Sequence, residues 1–155
     1  MAYILADLGE AQRRADDPAA LATLVWARDL AEAVLQAGQG DHAIACWRID
    51  VRLSQAQWLG SHGDPQGAST LLTAAVDAAR RLLTIDQASF PFRLRLARAV
   101  DLTAESAEAR HAAAAVRAAY TEALEQWREL ARRAPDFAAA PTTIGRIQPR
   151  LVPAP

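Results

Sequence analysis

Residues 35–47, LQAGQGDHAIACW, and residues 58–72, WLGSHGDPQGASTLL, follow one plan. In each, a Gly is followed five residues later by Ala, and that Ala four residues later by a large apolar side chain. The sets are Gly38, Ala43 and Trp47, then Gly63, Ala68 and Leu72. Gly ends a helix in a left-handed conformation without a Cβ penalty. Ala lets two helices approach closely, and the bulky residue one turn on fills the space beside it. The pattern predicts antiparallel helical hairpins, with Ala43 and Ala68 at close helix–helix contacts. Stacked hairpins of this kind serve mostly for binding.

Working outward, the same punctuation recurs. Asp17-Pro18 and Asp64-Pro65 each place a capping carboxylate before a Pro that needs no amide donor at a first helical position. Helices are therefore expected over 3–15, 18–37, 41–59 and 64–83. The second carries Leu21, Leu24, Val25, Ala31, Val34 and Leu35. The third sets Arg48, Arg52 and Gln55 as a polar face opposite Ile44, Trp47, Val51 and Trp58. Ala68, Leu71, Leu72, Ala75, Ala79 and Leu82 make a clean helical stripe on the fourth. Pro91 breaks the chain before a fifth helix over 92–101. Thr103 is read as the cap of a sixth, running to 134 with Val116, Tyr120, Leu124, Trp127 and Ala131 as its seam.

From Pro135 the composition shifts, because five of the eight prolines lie there or beyond. Two regions follow: a helical domain over 1–135 and a Pro-rich extended tail over 136–155. The first helix opens almost at Met1, which suggests a piece of a longer array.

Composition bounds the class. The 155 residues suffice for one domain, and 52% are hydrophobic, so disorder is not the default reading. Ala dominates, with Leu, Arg, Glu and Gln, so the fold class is all-α. Every one of the 17 basic residues is Arg, but they are dispersed and balanced by 18 acids. A GC-rich genome explains that usage, and a net charge of −1 gives no footprint for nucleic acid or an acidic membrane. No basic leader with an apolar core opens the chain and no apolar run is long enough to span a bilayer, so a cytoplasmic location is expected.

The chemistry-bearing residues are few. Cys46 stands alone beside Trp47 and reads as a buried thiol. His42 and His62 lie at opposite ends of one helix, roughly 30 Å apart at 1.5 Å per residue, and cannot share a metal. His111 with Glu108 supplies at most two of the three or four ligands a zinc site needs. Asp16-Asp17 and Glu105/Glu108 read as charges at helix N-termini. The GQGD turn lacks the strand and the Lys-Ser/Thr of a phosphate loop. No catalytic, cofactor-binding or metal residue is assigned, and partner-binding residues stay open. Arg93, Arg95 and Arg98 with Arg80 and Arg81 form the densest basic patch, suited to a solvated face or to an acidic or phosphate group. Trp47 and Trp127 fit core positions, whereas Trp26 and Trp58 could line a groove.

Ala123, Trp127, Leu130 and Pro135 reproduce the spacing of the second helix of the tetratricopeptide repeat, and the two Gly–Ala–large sets resemble its hairpin turn. The chain thus resembles a tetratricopeptide-like helical-hairpin solenoid, with six antiparallel helices. It departs from the family's 34-residue period, since Ala43 and Ala68 stand 25 apart. A non-repeat six-helix bundle is the alternative. The resemblance implies a non-enzymatic scaffold binding a peptide or partner domain. The other readings are the C-terminal regulatory region of a larger bacterial signalling protein, and an all-α enzyme with an unrecognised site.

Overall fold

The computed structural model describes residues 2–151. Among them the regular structure is entirely α-helical: α1 (Ala2–Arg14), α2 (Ala20–Gln36), α3 (His42–Ser61), α4 (Pro65–Ile85), α5 (Phe90–Ala109), α6 (Ala113–Arg133) and α7 (Ala139–Leu151). None of these helices is long and apolar enough to cross a membrane. The chain divides into two compact units, one reaching residue 78 and the other starting at residue 79, with the division inside α4.

In the first unit α1, α2 and α3 pack on one another. Leu5, Leu24, Ala27, Ala31, Trp47 and Val51 form the buried cluster, with Ala6, Leu30 and Ile44 against its edge. Gly9 has a packing reason: a Cβ there would stand 2.7 Å from Leu24 Cδ2, so only Gly lets α1 lie this close to α2. Leu24 is fully buried, and truncation of such a side chain costs about 2–5 kcal/mol.

The expected polar face of α3 is not a solvated one. Arg48 and Arg52 both donate to Glu32 of α2, at 2.8 and 2.5 Å, while Gln55 is 1% exposed. The arginines are polar because they clamp a neighbouring helix. Their long stems cover apolar surface on the way.

Helix termination follows a repeated device. The amides of Asp17, Gln39, Asp64 and Ala112 each reach back five residues to a carbonyl, at 2.9–3.2 Å, closing a Schellman turn. The residue before each donor is left-handed: Asp16 (φ 56), Gly38 (φ 68), Gly63 (φ 85) and His111 (φ 56). Both glycines thus act as the sequence predicts. Asp41 caps α3 through the Ile44 amide at 3.0 Å, and Asp64 accepts from the Gly67 amide at 2.8 Å ahead of Pro65. Asp17 accepts instead from Ala19 at 2.8 Å, and α2 begins two residues later than expected, at Ala20.

Three expectations are corrected. Ala43 is exposed in the first turn of α3, so it is not the buried small residue of a close helix–helix contact. Ala68 is 2% exposed, and a Cβ placed on Gly60 would meet its methyl at 3.8 Å, so the close contact belongs to the second set alone. Thr103 does not start a helix. It lies within α5, its hydroxyl donating to the Ala99 carbonyl at 2.8 Å, and the break falls at residues 110–112 instead.

The third concerns the tail. Residues 139–151 are helical, which makes seven helices among the described residues, not six. Pro141 sits in the first turn, where amides have no intrahelical acceptor anyway. Ala140 and Ile147 are fully buried, and α7 packs on α6. Pro149 lies two residues from the end, within the last turn, so little of the ladder is lost. Residues 152–155 of that expected tail lie outside the described residues.

In the second unit α5 and α6 form a hairpin, and α7 covers α6. Leu96, Ala97, Val100, Ala104 and Ala107 are buried on α5, and Tyr120, Ala123, Leu124, Trp127 and Leu130 on α6. Phe137, in the connection to α7, sets its ring edge-on to Phe90 at 5.2 Å and parallel to Trp127 at 6.4 Å.

Candidate functional site

Two surfaces stand out, one apolar and exposed on α1, where only Tyr3 also reaches the core through its ring 5.5 Å from that of Trp47, and one charged. On α1, Leu5 and Gly9 face the core. Tyr3, Ile4 and Leu8 are 48%, 69% and 47% exposed. Ile4, Leu8 and Ala11 continue at i, i+4 and i+7, which is the spacing of a helix seam. Exposed Asp7 and Arg14 flank that seam toward its two ends, Arg14 also bonding Glu10 at 2.9 Å. Trp26 of α2 adds a further 59%-exposed ring to the same unit. Burying a Leu or Ile side chain is worth about 1.5–3 kcal/mol. Covering this face would therefore release several times the energy of a surface ion pair.

The signal for this face is present in the sequence. Ile4/Leu8 and Leu5/Gly9 are two separate i,i+4 pairs, so apolar residues point to two sides of one short helix. Of the tryptophans proposed for a groove, only Trp26 is available. Trp58 is 6% exposed and stacks on His62 with centroids 3.7 Å apart. Trp47 and Trp127 are buried, at 6% and 4%, as expected, and so is Cys46.

The second surface is charged and joins α5, α6 and α7. Arg146 of α7 donates to Asp101 and, at 2.6 Å, to Glu105, both on α5. One turn further, Glu108 accepts the Tyr120 hydroxyl at 2.8 Å, with Arg150 Nε 3.5 Å from the same carboxylate oxygen. Glu105 and Glu108 are thus cross-helix partners near the end of α5, not charges at a helix start. Asp101 is 7% exposed, and only one of its oxygens is bonded. Burial pushes its carboxyl up to about 6 in spite of the Arg146 guanidinium. Burial and the bond to Glu108 raise the Tyr120 hydroxyl as well.

The other sequence candidates come to less. No three metal-ligating side chains converge among the described residues. His62 turns to the Trp58 carbonyl at 2.9 Å and stands 3.3 Å from Asp16. The basic patch is largely tied down: Arg80 bonds Glu122 at 2.6 Å, Arg93 bonds Gln126 and the Gln87 carbonyl, and Arg95 bonds the Pro91 carbonyl. These guanidinium groups brace helices.

No family model matches the chain, and searches of curated proteins and of solved structures likewise find no match.

Proposed function

We propose that this chain is a protein-interaction module of the tetratricopeptide-like, helical-hairpin kind, and that it binds an amphipathic helix of a partner protein along the outer face of α1. The observation that carries this reading is the exposed pair Ile4 and Leu8, with half-exposed Tyr3 beside them on the Trp47 ring, on a helix whose other side is already packed. A helix that is apolar on two sides is suited to a second neighbour. The flanking charges supply a direction: a partner helix with a basic residue beside Asp7 and an acidic one beside Arg14 satisfies both. Large side chains at Ile4 and Leu8 give way to Ala11 toward the other end, so the partner's bulk belongs opposite Ala11.

Site-specific photo-crosslinking in the native host tests this. A photo-reactive residue at Leu8 is expected to capture a defined partner whose crosslinked peptide is an amphipathic helix. The same residue at exposed Thr73 of α4 should not capture it. Ile4→Ser should abolish the product while leaving the fold within about 0.5 kcal/mol, because the position is surface-exposed. Equal capture at both positions, or none at Leu8, would overturn the reading. Capture of a second copy of this chain would replace the heterologous partner with a dimer.

A further inference from the structure

We propose that the hollow beside the α5–α6 turn is a binding site for a phosphomonoester group, held by Arg117, Arg150 and His111. The hollow has a volume of about 340 Å³ and is lined by Glu108, His111, Ala113, Val116, Arg117 and Arg150. That volume exceeds what a bare phosphate needs and falls at the lower end of small-molecule sites. It opens to solvent, with Ala113 and Val116 as an apolar flank.

Its cationic groups are among those the second unit leaves uncommitted, and they are the ones that line a hollow. Arg80, Arg93 and Arg95 are spent on carboxylate, amide and carbonyl acceptors. The Arg117 side chain and the His111 ring, by contrast, make no hydrogen bond or ion pair with any described residue. Arg150 is half-committed and held in place. Its guanidinium lies 5.4 Å from the Tyr120 ring centroid, and only Nε approaches Glu108, at 3.5 Å. Its terminal nitrogens remain for a ligand, in the fork that matches two oxygens of a phosphate.

Glu108 would repel an anion if it stood bare, but its Oε2 already takes the Tyr120 hydroxyl and the Arg150 Nε. Two guanidinium groups against one satisfied carboxylate leave the hollow positive. One fork saturates a carboxylate ligand. Two forks and an imidazole suit three terminal oxygens, which favours phosphate.

The α2–α3 and α3–α4 turns put Gly at the left-handed position, where no Cβ resists. The α5–α6 turn puts His there, at φ 56, and a side chain in that conformation costs about 1–2 kcal/mol. Asp16 in the α1–α2 turn is left-handed to the same degree (φ 56), so the conformation alone marks no site; what bears on the proposal is that His111 lines the hollow.

The test is an NMR titration of the full chain with inorganic phosphate and, separately, with phenyl phosphate, at low ionic strength. Saturable shifts are expected at the amides of His111, Ala113 and Arg117, with dissociation constants of about 1 mM, as befits a few exposed charged contacts. Tighter binding of phenyl phosphate would mark a bound phosphomonoester; equal affinity would mark free phosphate. Arg117→Ala should weaken binding about tenfold, since one charged contact is lost at an exposed site. Both Arg117 and Arg150 are exposed, and a thermal melt of each variant separates lost binding from lost fold. Arg81→Ala, on α4, should leave the titration unchanged. Absence of saturable shifts, shifts unaffected by Arg117→Ala, or equal displacement by chloride would overturn the proposal.

Discussion

Glu10 in the first unit and Asp101 in the second are both carboxylates bound to arginine, yet their environments push them in opposite directions. Glu10 keeps more than a quarter of its side-chain surface in water and receives Arg13, Arg14 and the Ser54 hydroxyl at 2.8–2.9 Å. The Arg13 bond, followed by those of Ser54 and Arg14, outweighs burial and holds its carboxyl down at about 2. Asp101 keeps a tenth of its surface, has one oxygen unbonded, and rises to about 6 because burial outweighs Arg146. Glu10 sits in a complete network, although the buried Gln55 amide of the same unit has neither of its polar atoms paired. Asp101 in the second unit is incompletely satisfied and lies against α7, while the left-handed His111 of that unit has its counterpart in Asp16 of the first. Arginine alone does not make a buried acid favourable; the number of donors against the water removed decides.

What the units share is close packing through Ala, and that is where the largest effects are expected. Ala68→Leu in the first unit and Ala123→Leu in the second should each destabilise by about 1–3 kcal/mol through overpacking. The positions are 2% and 0% exposed. Ala43→Leu, at the matching place of the other repeated segment, should change stability by no more than about 0.5 kcal/mol, since that residue is exposed. Urea denaturation midpoints read all three. An unchanged midpoint for Ala68→Leu would remove the hairpin contact between Gly60 and Ala68 from the account.

The Ala43–Ala68 pair also shows what was legible. Turn chemistry was: Gly38, Gly63, Asp41 and Asp64 act locally, and local rules suffice for them. Which Ala is covered depends on where the neighbouring helix ends, and no local pattern carries that. The break at residues 110–112 was hidden because it holds no Gly or Pro; a His in a left-handed turn cannot be told from a helical one by propensity. Helix α7 was hidden by composition, since Pro141 in the first turn and Pro149 near the end are tolerated positions in a Pro-rich stretch. At the candidate surfaces, the apolar face of α1 was readable in principle from its two i,i+4 pairs. Spacing could not show that Arg117 is left free while Arg93 is bonded, because long side chains find acceptors across helices.

The pH response separates the two carboxylates. Asp101 is raised, from 3.8 to about 6, so its cost to the fold is present above pH 6 and is relieved as pH falls toward 3.8. Glu10 is lowered, from 4.5 to about 2, so its contribution is present above pH 4.5 and is lost as pH falls toward 2. Hydrogen exchange should therefore show α5 and α7 gaining protection, by about 1 kcal/mol after allowance for solvent screening, on going from pH 7 to pH 5. Amides of α1 should gain none over that range once intrinsic rates are corrected. Asp101→Asn should remove the pH dependence in α5 and α7. If it persists in that variant, the buried carboxylate is not its source.

The smallest effects lie at the turns, where adding a Cβ and removing a side chain at a left-handed position should act with opposite sign. Gly63 has φ 85 and nothing within 4 Å of a built Cβ, so Gly63→Ala meets no clash and isolates the backbone cost, about 1 kcal/mol of destabilisation. His111→Gly removes a side chain from the same kind of position, at φ 56. It should stabilise by about 0.5 kcal/mol, the relieved strain being partly offset by the greater freedom of Gly in the unfolded chain. The two changes in thermal midpoint, read side by side, have a consequence beyond stability. If His111→Gly is stabilising and also weakens phosphate binding, the strain is held in place by a ligand's requirement. If it is stabilising and leaves the titration untouched, the hollow is an anion site built from Arg117 and Arg150 alone. If it is destabilising, the His ring has a packing role that its exposed position does not show, and the contrast between the two units rests on Asp101.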